Sequence, residues 1–166
     1  MTITVGVADM KHSSSPDDVI VTHALGSCLG ITVWDPVVKV GGMLHVMLPC
    51  SRIDPAKAEE RPYMFVDTGV PLLFKEAYRL GADKSRLVVR VAGGAAVHGK
   101  RDEDDLFKIG KRNVAMLRKL LWKNGILVDA EDVGGNCSRT MSLEIATGRV
   151  VLRVDGRECD LAGKVG

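Results

Sequence analysis

Residues 18–49 read DVIVTHALGSCLGITVWDPVVKVGGMLHVMLP. Asp18 to Ala24 and Leu29 to Asp35 are runs rich in β-branched residues on either side of Leu25-Gly26-Ser27-Cys28. Val40 to Leu48 forms a third apolar run, opened by Gly41-Gly42 and stopped by Pro49. Runs this short, punctuated by glycine and proline, predict three successive strands. Asp35-Pro36 closes the second, because proline restricts the residue before it and cannot donate to a ladder.

Upstream, Ile3, Val5 and Val7 alternate with smaller or polar residues and predict a first strand, and Lys11 to Asp18 reads as a polar loop. Downstream, a polar stretch from Ser51 to Arg61 precedes a change of period. Val70, Leu73, Phe74, Ala77 and Leu80 recur at helical spacing, with Thr68 as the expected cap, Pro71 in the first turn and Gly81 past the end. Leu87 to Ala92 is extended and closes on Gly93-Gly94. A second helix is expected from about Lys108 to Asn124, with Ile109, Val114, Leu117, Leu120 and Leu121 on its apolar face and Gly125 as its stop. Ile126 to Val133 is extended, and Met141 to Ile145 turns through residues 146–149 into Val150 to Val154 as a hairpin. Many strands and two long helices, without regular alternation, predict an α+β fold in a single domain over residues 1–166.

Composition narrows the function. The 166 residues carry 23 Lys and Arg against 21 Asp and Glu, a net charge of +2 that does not mark a nucleic-acid binder. The longest stretch free of formal charge, Val19 to Trp34, is too short and too polar for a membrane span. The N-terminus lacks the pattern of a secretory signal, and Cys28, Cys50, Cys137 and Cys159 form no CxxC pair, so a reducing, cytoplasmic setting is expected. Neither those cysteines nor His12, His23, His45 and His98 show metal-ligand spacing, and the Gly-Gly pairs match no nucleotide loop; no metal and no cofactor are expected. Lys108, Arg112, Lys119 and Lys123 share a face of the second helix, with Lys111 and Arg118 beside them. They read as a solvated face, with a docking surface for an acidic protein as the alternative.

One thiol stands out. Cys28 lies between Gly26 and Gly30 at the junction of two predicted strands, where the backbone can turn sharply and a substrate can approach closely. His45 is on the next predicted strand, so adjacent strands can set imidazole beside thiol, raise its thiolate fraction and carry a proton to a leaving group. Thr22 is placed to fix the imidazole's orientation and tautomer. The residues alone leave a plainer reading open: Cys28 as a small core residue, His45 as a satisfied buried histidine and Thr22 as a strand filler.

The string THALGSCLGITVWDP followed by GGMLHVMLP resembles the chemoreceptor glutamine deamidase family, CheD. The likeness continues through Asp67-Thr68-Gly69-Val70-Pro71, Val91-Ala92-Gly93-Gly94-Ala95, Ile109-Gly110-Lys111-Arg112-Asn113 and Asp132-Val133-Gly134-Gly135, from about Val5 to Val154. Where the family pattern usually has phenylalanine after the histidine, this chain has Val46. The resemblance implies a three-layer α/β/β sandwich with mixed sheets, similar to bacterial toxin-type cysteine deamidases. It implies conversion of glutamine side chains of methyl-accepting chemotaxis receptors to glutamate, with Cys28 as nucleophile, His45 as general acid/base and Thr22 as its orienting residue. Gly26 and Ser27 are expected to contact substrate, and the Cys28 backbone N–H is the expected oxyanion donor. A receptor methylesterase side activity and a CheC-type phosphatase partner also follow from the resemblance. Two further readings compete with the deamidase: a regulatory module that engages and stimulates that phosphatase, and a thiol hydrolase of small amides with an enclosed pocket.

Overall fold

The computed structural model describes residues 1–96 and 103–163. The three strands of the diagnostic stretch are β3 (Val19–Leu25), β4 (Leu29–Asp35) and β5 (Val40–Val46), preceded by β1 (Thr2–Val5) and β2 (Asp9–Ser13). Then follow α1 (Pro55–Glu60), α2 (Val66–Arg79), β6 (Val88–Gly93), α3 (Glu103–Lys123), β7 (Ala130–Val133), β8 (Arg139–Glu144), β9 (Val150–Val154) and β10 (Arg157–Asp160).

The strands build two five-stranded mixed sheets, ordered β1-β3-β8-β9-β10 and β2-β5-β4-β6-β7. Among the ladders of the described strands, β1–β3 and β6–β7 are parallel and the others antiparallel. The second sheet is the middle layer. One face, with Leu29, Ile31, Val33, Leu44, Val46 and Val91, packs on Val70, Leu73 and Phe74 of α2 and Leu117 and Leu121 of α3. Its other face, with Met43 and Ala92, packs on Ile20, Leu25, Met141, Leu143 and Leu152 of the first sheet. The expected α+β sandwich of helices on sheet on sheet is therefore present. Because β5 is buried on both faces along its whole length, it reads as a continuous apolar run rather than an alternating one.

Local readings differ from the structure where tertiary pairing overrides composition. The segment read as a polar loop from Lys11 supplies the end of β2, which pairs from Asp9 opposite His45 to Ser13 opposite Gly41. An edge strand tolerates polar residues, and the His12 ring hydrogen-bonds the Leu73 carbonyl at 2.9 Å. The first strand stops at Val5, with Val7 exposed and Ala8 turning at φ 57°. Helix α2 begins at Val66 rather than near Val70, and Thr68 is not its cap: its hydroxyl donates to the Pro62 carbonyl at 2.5 Å. The short helix α1 and the strand β10 carry no sequence periodicity long enough to reveal them.

Asp35 locks the far end of β4. It is fully buried, accepts from the backbone N–H groups of Val37 and Asp83, and pairs with Arg86 at 2.9 Å. Burial pushes its carboxyl up, but the Arg86 guanidinium and those N–H groups outweigh burial and hold it at about 2, below the ordinary 3.8. A carboxylate with a depressed folded pKa stabilises the fold above its unfolded pKa, and that contribution drains away as pH falls from about 4 towards about 2. Asp35→Asn is therefore expected to cost about 2 kcal/mol in urea unfolding at pH 7. The gap between variant and wild type should close as the pH is lowered through that window; a gap unchanged at pH 2.5 contradicts the assignment.

Candidate active site

The antiparallel β4–β5 ladder sets Leu29 opposite Val46 and Gly30 opposite His45. Cys28 immediately precedes this ladder and packs against the apolar cluster between the sheets. Side chains alternate along a strand, so Cys28 and His45 share the face that looks into the layer between the sheets. Gly30, paired directly with His45, presents no side chain to the imidazole.

From the facing sheet, β3 contributes Thr22, buried like His45. Its Oγ1 lies 2.8 Å from the Val5 carbonyl oxygen and 2.8 Å from His45 Nδ1. A hydroxyl has one proton and a carbonyl only accepts, so Thr22 donates to Val5 and accepts from Nδ1–H. That arrangement fixes the tautomer and leaves the Nε2 lone pair bare; Nε2 is buried with no hydrogen-bond partner among the described residues. Burial pushes the imidazole pKa down to about 4, opposed weakly by the Asp9 carboxylate. His45 is thus a neutral base at pH 7.

Cys28 is half-buried against the inter-sheet core. Burial pushes its thiol pKa up, partly offset by its own backbone N–H, which is directed at the sulfur. Thiol and imidazole are therefore both neutral at rest, and no hydrogen bond joins Cys28 to His45 Nε2. A group delivered between them can draw the thiol proton to Nε2, which is the chemistry of a general-base-assisted nucleophile.

The loop carrying the thiol is held by its carbonyls. Gly26 O accepts from Ala95 N at 2.8 Å, Ser27 O from Asn113 Nδ2 at 2.9 Å, and Cys28 O from Gly94 N at 2.9 Å. Gly93 must be glycine: at φ 115° a Cβ would run into the Cys28 carbonyl. Upstream, the ladder between β3 and β8 shifts register between Thr22 and Leu25, with Ala24 at φ 57°. This bulge redirects the chain into the Gly26-Ser27-Cys28 turn. Gly26 and Ser27, expected at the substrate, are tied to the protein through their backbone carbonyls.

Two residues at this end of the molecule drew no role from the sequence. Asn113 of α3 is fully buried, and Arg139 of β8 is 7% exposed. Arg139 donates to Gly134 O at 2.9 Å and Asp132 Oδ1 at 3.2 Å, and reaches Gly93 O at 3.4 Å. Asn113 sits four residues from both Ile109 and Leu117, a polar residue on an otherwise apolar helical stripe, which is the signal that singles it out. His12 bonds α2, His23 is exposed, and His98 lies outside the described residues. Among the described residues no cluster of His, Cys, Asp or Glu suits a metal ion.

Comparison with known proteins follows the same lines. The family model described as CheD chemotactic sensory transduction matches residues 47–154. The chain is 49% identical over 154 residues to the probable chemoreceptor glutamine deamidase CheD 1 of Syntrophus aciditrophicus, covering 93% of this chain and 94% of that protein. It is 50% identical over 159 residues to the probable chemoreceptor glutamine deamidase CheD of Solibacter usitatus, covering 96% and 92%. A probable chemoreceptor glutamine deamidase CheD of the archaeon Pyrococcus abyssi is 44% identical over 153 residues, covering 91% and 90%.

The His45 environment predicts a pH signature. Its folded pKa of about 4 lies below the ordinary 6.5, so the unfolded chain takes up the proton first. Stability is then full above about pH 6.5 and falls as pH drops towards about 4. At ~1.4 kcal/mol per pKa unit, His45→Gln should remove on the order of 2–3 kcal/mol of that slope in chemical unfolding between pH 7 and 4.5. His12, which burial also pushes down, contributes in the same direction. A variant with the full wild-type slope would place the titration elsewhere.

Proposed function

The chain belongs to the CheD family, and from that premise we propose that it is a hydrolase converting glutamine side chains of chemoreceptors to glutamate through a Cys28 thioester. The observation that carries this reading is the Thr22–His45 hydrogen bond, which bares Nε2 on the face shared with Cys28. In the proposed cycle His45 Nε2 takes the Cys28 proton as sulfur attacks the glutamine Cδ. The amide oxygen becomes an oxyanion against the Cys28 N–H, and the imidazolium returns the proton to nitrogen as the C–N bond breaks and ammonia leaves. Water, deprotonated by the same imidazole, then attacks the thioester, releasing glutamate and the thiol. Each turnover replaces a neutral amide by a carboxylate, which adds a negative charge and a methylation site to the receptor.

The same thioester would form from a methylated glutamate with methanol as the leaving group, and we include receptor methylesterase activity in the proposal on that chemical ground. A CheC-type phosphatase is the further proposed partner. Retention of Cys28, His45 and Thr22 in one constellation favours catalysis over a purely regulatory binding role. Among the described residues no helix is long and apolar enough to cross a membrane. We place the protein in the cytoplasm, where its four unpaired cysteines suit the redox setting.

Intact-mass spectrometry of a chemoreceptor cytoplasmic fragment tests the reading. Wild type should add about one dalton per converted glutamine, and Cys28→Ala none. Thr22→Val, which removes the acceptor for Nδ1–H, should slow the reaction by about 10- to 100-fold, whereas Thr22→Ser should stay close to wild type. Deamidation by Cys28→Ala at the wild-type rate would overturn the nucleophile assignment. No mass change with wild type on receptors of its own organism would favour the binding module.

A further inference from the structure

We propose that Asn113 is a positioning residue that sets the separation of Cys28 and His45. The inference rests on the reading of those two as the reacting pair. Asn113 Nδ2 donates to Ser27 O at 2.9 Å and to Met47 O at 3.1 Å. Ser27 precedes the thiol and Met47 follows the imidazole by two residues. Both carbonyls can only accept, so the amide orientation is settled: nitrogen faces them, and Oδ1 is left buried without a partner among the described residues.

The clamp falls where the β4–β5 ladder gives out. Beyond Val46 the chain leaves β4: the N–H groups of Met47 and Leu48 both go to the Met64 carbonyl. One side chain from α3 replaces the missing rungs and holds the Cys28 loop against the strand that carries His45. Its approach depends on Gly110, one turn earlier on the same helix face, where a Cβ would stand 2.8 Å from the Gly94 oxygen. Gly94 in turn donates to Cys28 O. Gly110 and Asn113 thus serve one docking event of α3 on the thiol loop.

A buried amide that leaves its own oxygen unsatisfied is a costly way to hold a fold together, and an apolar residue would pack that stripe more cheaply. The retained pair of hydrogen bonds is explained by what it aligns. Misplacing reacting groups by about 1 Å can cost about 100-fold in rate.

The test compares Asn113→Ala and Asn113→Asp with wild type, all rates being expressed per folded molecule from circular dichroism. Asp keeps the shape but sets a carboxylate against two carbonyls. The expected result is a fall in kcat for receptor deamidation of about 30-fold or more, with KM within about twofold. Alkylation by iodoacetamide, followed by peptide mass mapping, gives a second readout that needs no substrate. Release of the loop should move the pH midpoint of Cys28 alkylation down towards that of an ordinary thiol, while exposed Cys159 on β10 stays as in wild type. Deamidation within about threefold of wild type in both variants, or a Cys28 profile superimposable on wild type, would overturn the proposal. Failure of both variants to fold would reduce Asn113 to a structural anchor and overturn it equally. If wild type does not deamidate the receptor fragment, or Cys28→Ala does, the functional reading falls, and the alkylation profiles still decide whether Asn113 holds the loop.

Discussion

A single hydroxyl proton organises the site. Thr22 Oγ1 sits 2.8 Å from two groups, and the Val5 carbonyl claims its only hydrogen. His45 is thereby compelled to carry its own proton on Nδ1. The hydrogen bond also crosses the layer between the sheets, from β3 of the outer sheet to β5 of the middle one, in a largely apolar core. A polar contact buried there is stabilising only when complete, so its geometry is tightly prescribed. The parallel β1–β3 pairing, which sets Val5 opposite Thr22, is in this sense part of the site: it supplies the acceptor that decides the tautomer.

The thiol loop is under the opposite constraint. It belongs to no ladder, and its position comes from carbonyls captured by Ala95, Asn113 and Gly94, on segments distant in sequence. Sheet, helix and glycine turn therefore converge on three residues. Strand β4 supplies direction, β6 brings Gly93 and Gly94 close enough to bond, and α3 supplies the amide. Such loops on a rigid scaffold are where binding and catalytic groups concentrate.

The sequence carried the strands of residues 18–49 well, because each is bounded by glycine or proline and is long enough to show its period. The body of helix α3 and its Gly125 stop were legible from the apolar period, although the helix begins at Glu103 rather than near Lys108. Strand β2 was not, since Lys11, His12 and Ser13 are polar and become a strand only by pairing with β5. At the site, residue types and spacing put Cys28, His45 and Thr22 together as a group of interest. The tautomer was beyond reach, because it depends on Val5, a residue with no polar side chain. Arg139 was equally hidden, since its partners are mostly backbone carbonyls that any residue can provide. Asn113 left a trace in the break of the apolar stripe on α3, and only the fold shows what it grips.

Burial shapes the chemistry of the proposed pair as much as alignment does. Burial pushes the thiol up and the imidazole down to about 4, and both shifts disfavour a resting thiolate–imidazolium pair. In the proposed cycle proton transfer therefore accompanies attack on the carbonyl, when the growing oxyanion and the Cys28 N–H offset part of that cost. The same imbalance helps the second half of the step. An imidazolium whose pKa is held low is a strong acid, and expulsion of ammonia from a tetrahedral intermediate requires protonation at nitrogen before the better leaving group, the thiolate, departs. A solvated histidine near 6.5 would make the thiolate more readily but would surrender its proton less readily. In the proposed cycle the buried environment set by Thr22 and the inter-sheet core therefore trades resting reactivity for partition towards product, and keeps the thiol protonated until a substrate amide lies between sulfur and Nε2.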